Sequence, residues 1–183
     1  SEHNVKKVCI IGAGLIGCEF ANDLLNGGFE VDIVDPMPQC LPALLPESAA
    51  RALEEALTSH GANFYFGPHV TSVNHVDGRL SVTLSNGNTL LADLVVSAVG
   101  VRSRTDLAKT AGIDVDRGIK TNQQLQTSNS NVFALGDCAE VCGHVLVYVA
   151  PLMAAAKALA RTLSGQPTDV KYPAMPVTIK TPI

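Results

Sequence analysis

The stretch "KKVCIIGAGLIGCEFANDLLNGGFEVDIVD", residues 6–35, constrains the fold more than any other part of the chain. Val8 to Ile11 form an unbroken apolar run, as a parallel strand covered on both faces requires. From Leu15 to Asn26 the apolar residues Leu15, Ile16, Phe20, Leu24 and Leu25 recur at helical spacing. Gly27-Gly28 stop that helix. Val31 to Val34 make a second strand, ending in Asp35. Strand, helix and strand in about thirty residues read as one βαβ unit.

The junction of the first strand and the helix is Gly12-x-Gly14-x-x-Gly17. Gly12 permits the tight turn, Gly14 lets the backbone approach a pyrophosphate, and Gly17 lets the helix pack close to the strand. The free N–H groups at the helix start, near Leu15 and Ile16, then face phosphates. Strand, loop and helix in this order are the context that turns a bare glycine pattern into a dinucleotide signature. Asp35, at the end of the second strand, accepts hydrogen bonds from adenosine ribose hydroxyls and repels a 2′-phosphate. No Arg or Lys follows it in Pro36-Met37-Pro38-Gln39, which favours NAD over NADP. Glu19 lies in the first turns of the helix; the dipole favours an acid there with or without a cofactor.

Four prolines in residues 36–46 make a surface loop. Residues 47–62 read as an amphipathic helix, with Ala52, Leu53, Ala56 and Leu57 on one stripe, and "NFYF" as a strand. The period then drops to two: residues 69–76, 79–85 and 88–92 read as an antiparallel meander, turned at Asp77-Gly78 and Asn86-Gly87. Both residues of each turn are expected at positive φ. "DLVVSAVG" is a buried strand ending at Gly100, and a short helix follows at Thr105 to Thr110. Residues 119–131 are polar and loop-like; "VFALGD", residues 132–137, reads as a strand ending at Gly136-Asp137. "HVLVYV" reads as strand or buried turn, and residues 151–165 as a helix with Pro151 in its first turn. The proline-rich residues 166–183 are extended.

The net charge, 13 − 17 = −4, argues against nucleic acid as the main partner. No 18-residue apolar run or leader pattern is present, which points to a cytoplasmic protein without a membrane partner. The five cysteines include no CxxC and read as reduced structural thiols; Cys138 and Cys142 are the one spacing open to a redox reading. No metal set and no catalytic acid or base stands out.

One glycine loop, a three-strand meander, "SAVG" and "NVFALGDCAE" before an alanine-rich helix resemble, in combination, the pyridine-nucleotide-dependent FAD reductases of the pyridine nucleotide-disulfide oxidoreductase family. "GAGLIGCEFA" is similar to their NAD loop, and "YVAPLMAAAKALARTLSG" with "YPAMPVTIKTP" to the rubredoxin-reducing members. The resemblance implies an α/β fold. Residues 1–118 would be a Rossmann-like NAD-binding domain, a parallel sheet with the antiparallel meander, and residues 119–183 the returning portion of an FAD-binding domain. Gly12, Gly14, Leu15, Ile16 and Gly17 would take the NAD pyrophosphate and Asp35 the adenosine ribose. Gly100 would line the nicotinamide, and Glu19 would stand between nicotinamide and flavin. Gly136 and Asp137 belong to the flavin motif, with Asp137 on the ribityl chain and the Val149 amide at the flavin pyrimidine edge. Lys180 would lie near the flavin, or be simply solvated.

The resemblance further implies an NADH-dependent flavoprotein that passes electrons through FAD to rubredoxin, a small acidic protein, with alkane hydroxylation as the implied use. Ferredoxin reduction, or an oxidase or nitrite-reductase-like activity, is the alternative, as is a nucleotide-binding module without turnover. The family's own pattern begins with an FAD-binding glycine loop and ends with an interface domain. Neither is represented here, and the chain reads as a piece of a longer one that binds NADH but retains little FAD.

Overall fold

The computed structural model describes residues 5–172 and 174–181. They form two compact units. The first runs through Gly100 and takes back the segment from Thr178; the second is Val101–Val177. The expected domain boundary at 118 therefore differs from the compact division. Residues 101–118 belong with the second unit, where the Asp114 N–H donates to Ser128 Oγ at 2.9 Å and the Ser103 hydroxyl to the Asp137 carbonyl at 2.7 Å.

The first unit is built on a four-stranded parallel sheet ordered β3 (Ala62–Phe66), β2 (Glu30–Asp35), β1 (Lys7–Ile11), β7 (Leu94–Ser97). Helix α1 (Leu15–Asn26) joins β1 to β2, and helix α2 (Glu47–Ser59) precedes β3. Each is long enough for the crossover that parallel strands need. One sheet face carries Val8, Ile10, Val31 and Ile33 and packs with Ala21, Ala50 and Leu57 of the helices. On α2 the buried stripe is Ala50 and Leu57, with Leu53 half-buried; Ala52, expected there, is exposed.

The other face carries Cys9 and Val34 and is covered by the antiparallel meander β4 (Val70–Val76), β5 (Arg79–Leu84), β6 (Thr89–Ala92) through Val82, Leu84 and Ala92. At the first meander turn Asp77 and Gly78 both take positive φ, 50° and 79°. At the second, only Gly87 does. There Leu84 N–H reaches the Asn88 carbonyl, and the Asn86 side chain accepts the Asn88 N–H. The loop is thus longer than a two-residue turn, and Asn86 keeps ordinary φ.

Burial on this second face includes a charge. Asp32, in mid-strand, is fully buried, with Lys7 Nζ 2.9 Å away and Asn63 donating at 3.0 Å. Lys7 is raised above its usual pKa chiefly by that bond to Asp32. The neighbouring Cys9 thiol is pushed up to about 11 by burial, with Asp32 adding to the effect.

The second unit contains a short helix α3 (Asp106–Thr110), a two-stranded parallel ladder of β8 (Ile119–Thr121) and β9 (Ala139–Val141), and helix α4 (Val149–Leu163). Its core gathers Leu125, Ala134, Ala139, Val141, Ala155 and Leu159. Two sequence expectations fail here. "IKT", placed in a loop, is β8; "VFALGD", placed in a strand, is not one. Residues 132–134 instead bond to residues 125–127: Thr127 N–H to the Val132 carbonyl and Ala134 N–H to the Leu125 carbonyl, both at 3.0 Å. The Thr127 hydroxyl and the Asn129 carboxamide tie the intervening turn. Such side-chain bonds offer the backbone an alternative to a ladder. Gly136–Cys138 is one 3-10 turn, and the strand begins only after it. "HVLVYV" contains no strand, and α4 starts two residues before Pro151.

Among the described residues no helix is long and apolar enough to cross a membrane. All five cysteines are free.

Candidate nucleotide site

The glycine loop sits at the C-terminal end of β1, and its three glycines are required for different reasons. Gly12 has φ +110°, and a Cβ there would come within 2.5 Å of the Ala98 carbonyl oxygen. A Cβ on Gly17 would overlap the Gly12 carbonyl oxygen and reach 3.0 Å from its carbon. These two are demanded by the chain's own backbone: α1 crosses β1 and the residues after β7 too closely for a side chain. Gly14 is different. It is the N-cap of α1 with φ −75°, and a Cβ there would meet nothing within 4 Å. Nothing inside the protein calls for glycine at this point. The open space lies where a pyrophosphate would approach.

Helix α1 has no side-chain cap and no acidic residue in its first turn. Its first N–H groups, those of Leu15, Ile16 and Gly17, and the positive end of its dipole therefore have no side-chain acceptor on the helix. Leu15 is half-buried, Ile16 is exposed and Gly17 is buried. The cradle suits a pyrophosphate: open at Gly14, bounded by backbone, with a positive pole behind it.

Asp35, half-buried at the end of β2, comes next to this loop. Its Oδ2 accepts the Ala13 N–H at 2.6 Å and its Oδ1 the Met37 N–H at 2.8 Å. Ala13, buried between the first two glycines, also gives its carbonyl to the Leu41 N–H at 2.8 Å. Leu41 is buried and held at φ 45°, an unfavourable region for a branched side chain. The Cys18 thiol lies 3.5 Å from the same Ala13 carbonyl. It is driven strongly upward in pKa by the neighbouring Cys40 thiol and by burial, and so behaves as a packing group. Sequence reasoning missed Ala13 and Leu41. The position of Ala13 inside the glycine pattern was the only available signal, and nothing in the sequence marked Leu41.

Glu19 is half-buried on α1, and its Oε1 accepts the backbone N–H of Lys180 at 3.1 Å. This bond joins residues 161 positions apart within the first unit. Ile179 packs on the core beside it. The Lys180 side chain itself is exposed. Gly100 is exposed, with φ +81° and open space around it.

The remaining predicted residues lie in the second unit. Gly136 has φ +81°, and a Cβ there would come 3.0 Å from Leu152 on α4. Asp137 follows it in the 3-10 turn, exposed. Its backbone carbonyl takes the Ser103 hydroxyl, and its carboxylate makes no hydrogen bond among the described residues. Val149 is the first residue of α4, 74% exposed, and that helix too lacks a side-chain cap. A free carboxylate and an uncapped helix start are compatible with a polyol and an electron-rich ring edge, respectively.

A separate cavity of about 650 Å³ opens at the opposite edge of the parallel sheet, where Lys7, Glu30 and Asp93 mark the strand starts. Two of its cations are paired, Lys7 with Asp32 and Arg79 with Asp93. Asp93 accepts the Lys6 and Lys7 N–H groups at 2.9 Å each and Arg79 Nε at 2.9 Å.

Among relatives, the chain is 58% identical over 178 residues to the rubredoxin-NAD(+) reductase of Alcanivorax borkumensis, covering 97% of this chain and 47% of that protein. It is 42% identical over 181 residues to the nitric oxide reductase FlRd-NAD(+) reductase of Aeromonas hydrophila, covering 97% and 46%. The chain thus spans about half the length of the relatives it matches. Among solved structures, the ferredoxin reductase for the CYP199A2 system from Rhodopseudomonas palustris superposes with a TM-score of 0.85 at 32% identity, over 92% of this chain and 44% of that one. The reductase of the covalent putidaredoxin reductase–putidaredoxin complex gives 0.83 at 26% identity, over 93% and 43%. The family model described as pyridine nucleotide-disulphide oxidoreductase matches residues 1–160. With the open glycine cradle and this match in hand, the chain belongs to the pyridine nucleotide-disulphide oxidoreductase family.

Proposed function

We propose that the chain is the NADH-binding part, with a portion of the flavin-binding part, of a cytoplasmic reductase that passes electrons from NADH through FAD to rubredoxin. The observation that carries this reading is the glycine cradle: space is kept at Gly14 and denied at Gly12 and Gly17. The name of the relative at 58% identity supplies the acceptor. When bound, NADH supplies an electron pair and FAD hands electrons on singly. The chain's own residues bind and orient. The N–H groups of Leu15, Ile16 and Gly17 hold the pyrophosphate beside Gly12 and Gly14, and Asp35 receives the adenosine ribose. Gly100 leaves backbone room at the nicotinamide, which Glu19 separates from the flavin. Asp137, after Gly136, holds the ribityl chain; the Val149 amide meets the pyrimidine edge, and Lys180 adds a positive charge to the flavin's surroundings. Residues 1–118 are assigned to NAD binding and 119–183 to the flavin-binding part.

A titration of the purified chain with NADH, followed by nucleotide fluorescence, together with its flavin absorbance, tests the division of labour. Saturable NADH binding with little flavin is expected; near-stoichiometric flavin, or no saturable NADH binding, refutes it. For a protein of the relatives' full length carrying this chain, NADH-driven turnover is expected to favour rubredoxin over ferredoxin and oxygen. Equal rates with all three remove the assigned acceptor. The relative of Aeromonas hydrophila, a nitric oxide reductase FlRd-NAD(+) reductase, favours a second reading in which the electrons go to a nitric oxide reductase. Adding a nitric oxide reductase of that kind as a fourth acceptor in the turnover comparison separates the two.

A further inference from the structure

Both oxygens of the Asp35 carboxylate are engaged by backbone N–H groups. A residue whose whole task was to receive ribose hydroxyls would have no reason to be so bound. The Ala13 contact, at 2.6 Å, is at the short end for an N–H donor to a carboxylate, the strong class of hydrogen bond.

It does not act alone. The Ala13 peptides are gripped from both ends by the end of β2 and the segment after it: the N–H by Asp35 and the carbonyl by Leu41 N–H at 2.8 Å. Leu41 makes that bond from φ 45° while fully buried. Strain of this kind persists only where surrounding contacts over-determine it. Two further bonds set the height of the loop. Gly12 N–H reaches the Val34 carbonyl at 2.8 Å, and Gly67 N–H the Asp35 carbonyl at 3.0 Å. Gly12 and Gly14, on either side of Ala13, are the residues whose freedom to turn the pyrophosphate cradle depends on.

We propose that Asp35 is a positioning residue for the glycine loop: its carboxylate clamps the Ala13 N–H, and with Leu41 holding the Ala13 carbonyl it fixes the loop in its phosphate-binding shape. This rests on the nucleotide reading of the site and adds to it. A carboxylate has about four acceptor positions, so ribose hydroxyls can still use those that Ala13 and Met37 leave. The consequence differs from that of a ribose contact alone. Removing a ribose contact weakens NADH and relieves the repulsion of the NADPH 2′-phosphate, moving the two affinities in opposite directions. Removing a loop clamp weakens both together.

The test uses Asp35→Asn, which keeps the shape but puts an NH2 group where one of the two N–H donors needs an acceptor. Amide hydrogen exchange at Ala13 is measured in the nucleotide-free chain, alongside Kd for NADH and for NADPH. Slow exchange at Ala13 in the wild type, acceleration of about tenfold or more in the variant, and a comparable rise in both Kd values support the clamp. Free exchange at Ala13 in the wild type overturns it, with no variant required. So does unchanged Ala13 exchange in Asp35→Asn, or an NADPH affinity that improves while NADH weakens. Should Asp35→Asn fail to fold, Asp35→Ala, which removes both acceptors, takes its place under the same criteria. If the wild type binds neither coenzyme, the nucleotide reading falls, while the exchange at Ala13 still decides the clamp.

Discussion

Gly14 and Gly17 sit three residues apart at the start of α1, and substituting each by alanine is expected to do opposite things. A methyl on Gly17 runs into the Gly12 carbonyl, with its Cβ only 3.0 Å from the carbonyl carbon and closer still to the oxygen. Carbon contacts are comfortable at about 3.5–4.0 Å, and the obstacle is backbone, not the end of a flexible side chain. Helix α1 must therefore move away from β1 by about 1 Å, against the core formed by Ala21, Ile10 and Ile33. Overpacking a close-packed interior costs about 1–3 kcal/mol, and a backbone obstacle places this case near 3. For a chain of this size each kcal/mol lowers Tm by about 2–4 °C, so Gly17→Ala is expected to lose about 6–12 °C. The Gly14 Cβ meets nothing within 4 Å, at φ −75°. Its cost is the poorer N-cap preference of alanine, under about 1 kcal/mol, and the shift is a few degrees at most. Its effect falls instead on the ligand: a methyl in the cradle is expected to raise the Kd for NADH about tenfold or more, equivalent to about 1.4 kcal/mol. Circular-dichroism melts and NADH fluorescence titrations of both variants decide the matter. A Gly14→Ala variant that binds NADH as tightly as the wild type refutes the cradle. A Gly17→Ala variant that melts with the wild type refutes the close helix–strand crossing.

Two further expectations concern charge in the first unit. Lys7→Met leaves Asp32 buried with only Asn63 for a partner, and is expected to cost about 3 kcal/mol in urea denaturation. The double variant Lys7→Met/Asp32→Val should recover most of it, and a double variant as unstable as the single one rejects the ion-pair account. Asp93 is held below its ordinary carboxylate pKa first by the Lys7 and Lys6 N–H groups, and then by Arg79. Its folded pKa is depressed, so its contribution is present above 3.8 and lost as pH falls through the folded value. Asp93→Asn should lower Tm at pH 7, and the gap from the wild type should close below pH 3.8; a gap independent of pH contradicts the assignment.

Local pattern was sufficient for β1, α1, β2 and the meander, because apolar periodicity and glycine placement report directly on which face of an element is covered. It was insufficient around residue 132. "VFALGD" has the composition of a strand, yet its backbone groups are claimed by residues 125–127 and by side chains of the turn between them. Composition does not reveal which backbone group a neighbour will take. The second hairpin shows the same limit on a smaller scale: Asn-Gly announced a turn, and the Asn86 side chain bonding to Asn88 set its type.

The sequence by itself determined that a glycine loop joins a parallel strand to a helix and that an acid closes the next strand, because each depends on neighbours a few residues apart. Only the tertiary structure decided what those residues touch. It brought Asp35 onto Ala13, Leu41 beneath the loop, the Lys180 backbone onto Glu19, and Lys7 onto the buried Asp32. Each of these contacts joins separate segments of the chain, and one spans 161 residues. Such contacts depend on how whole elements pack, and no periodicity within a single element encodes them.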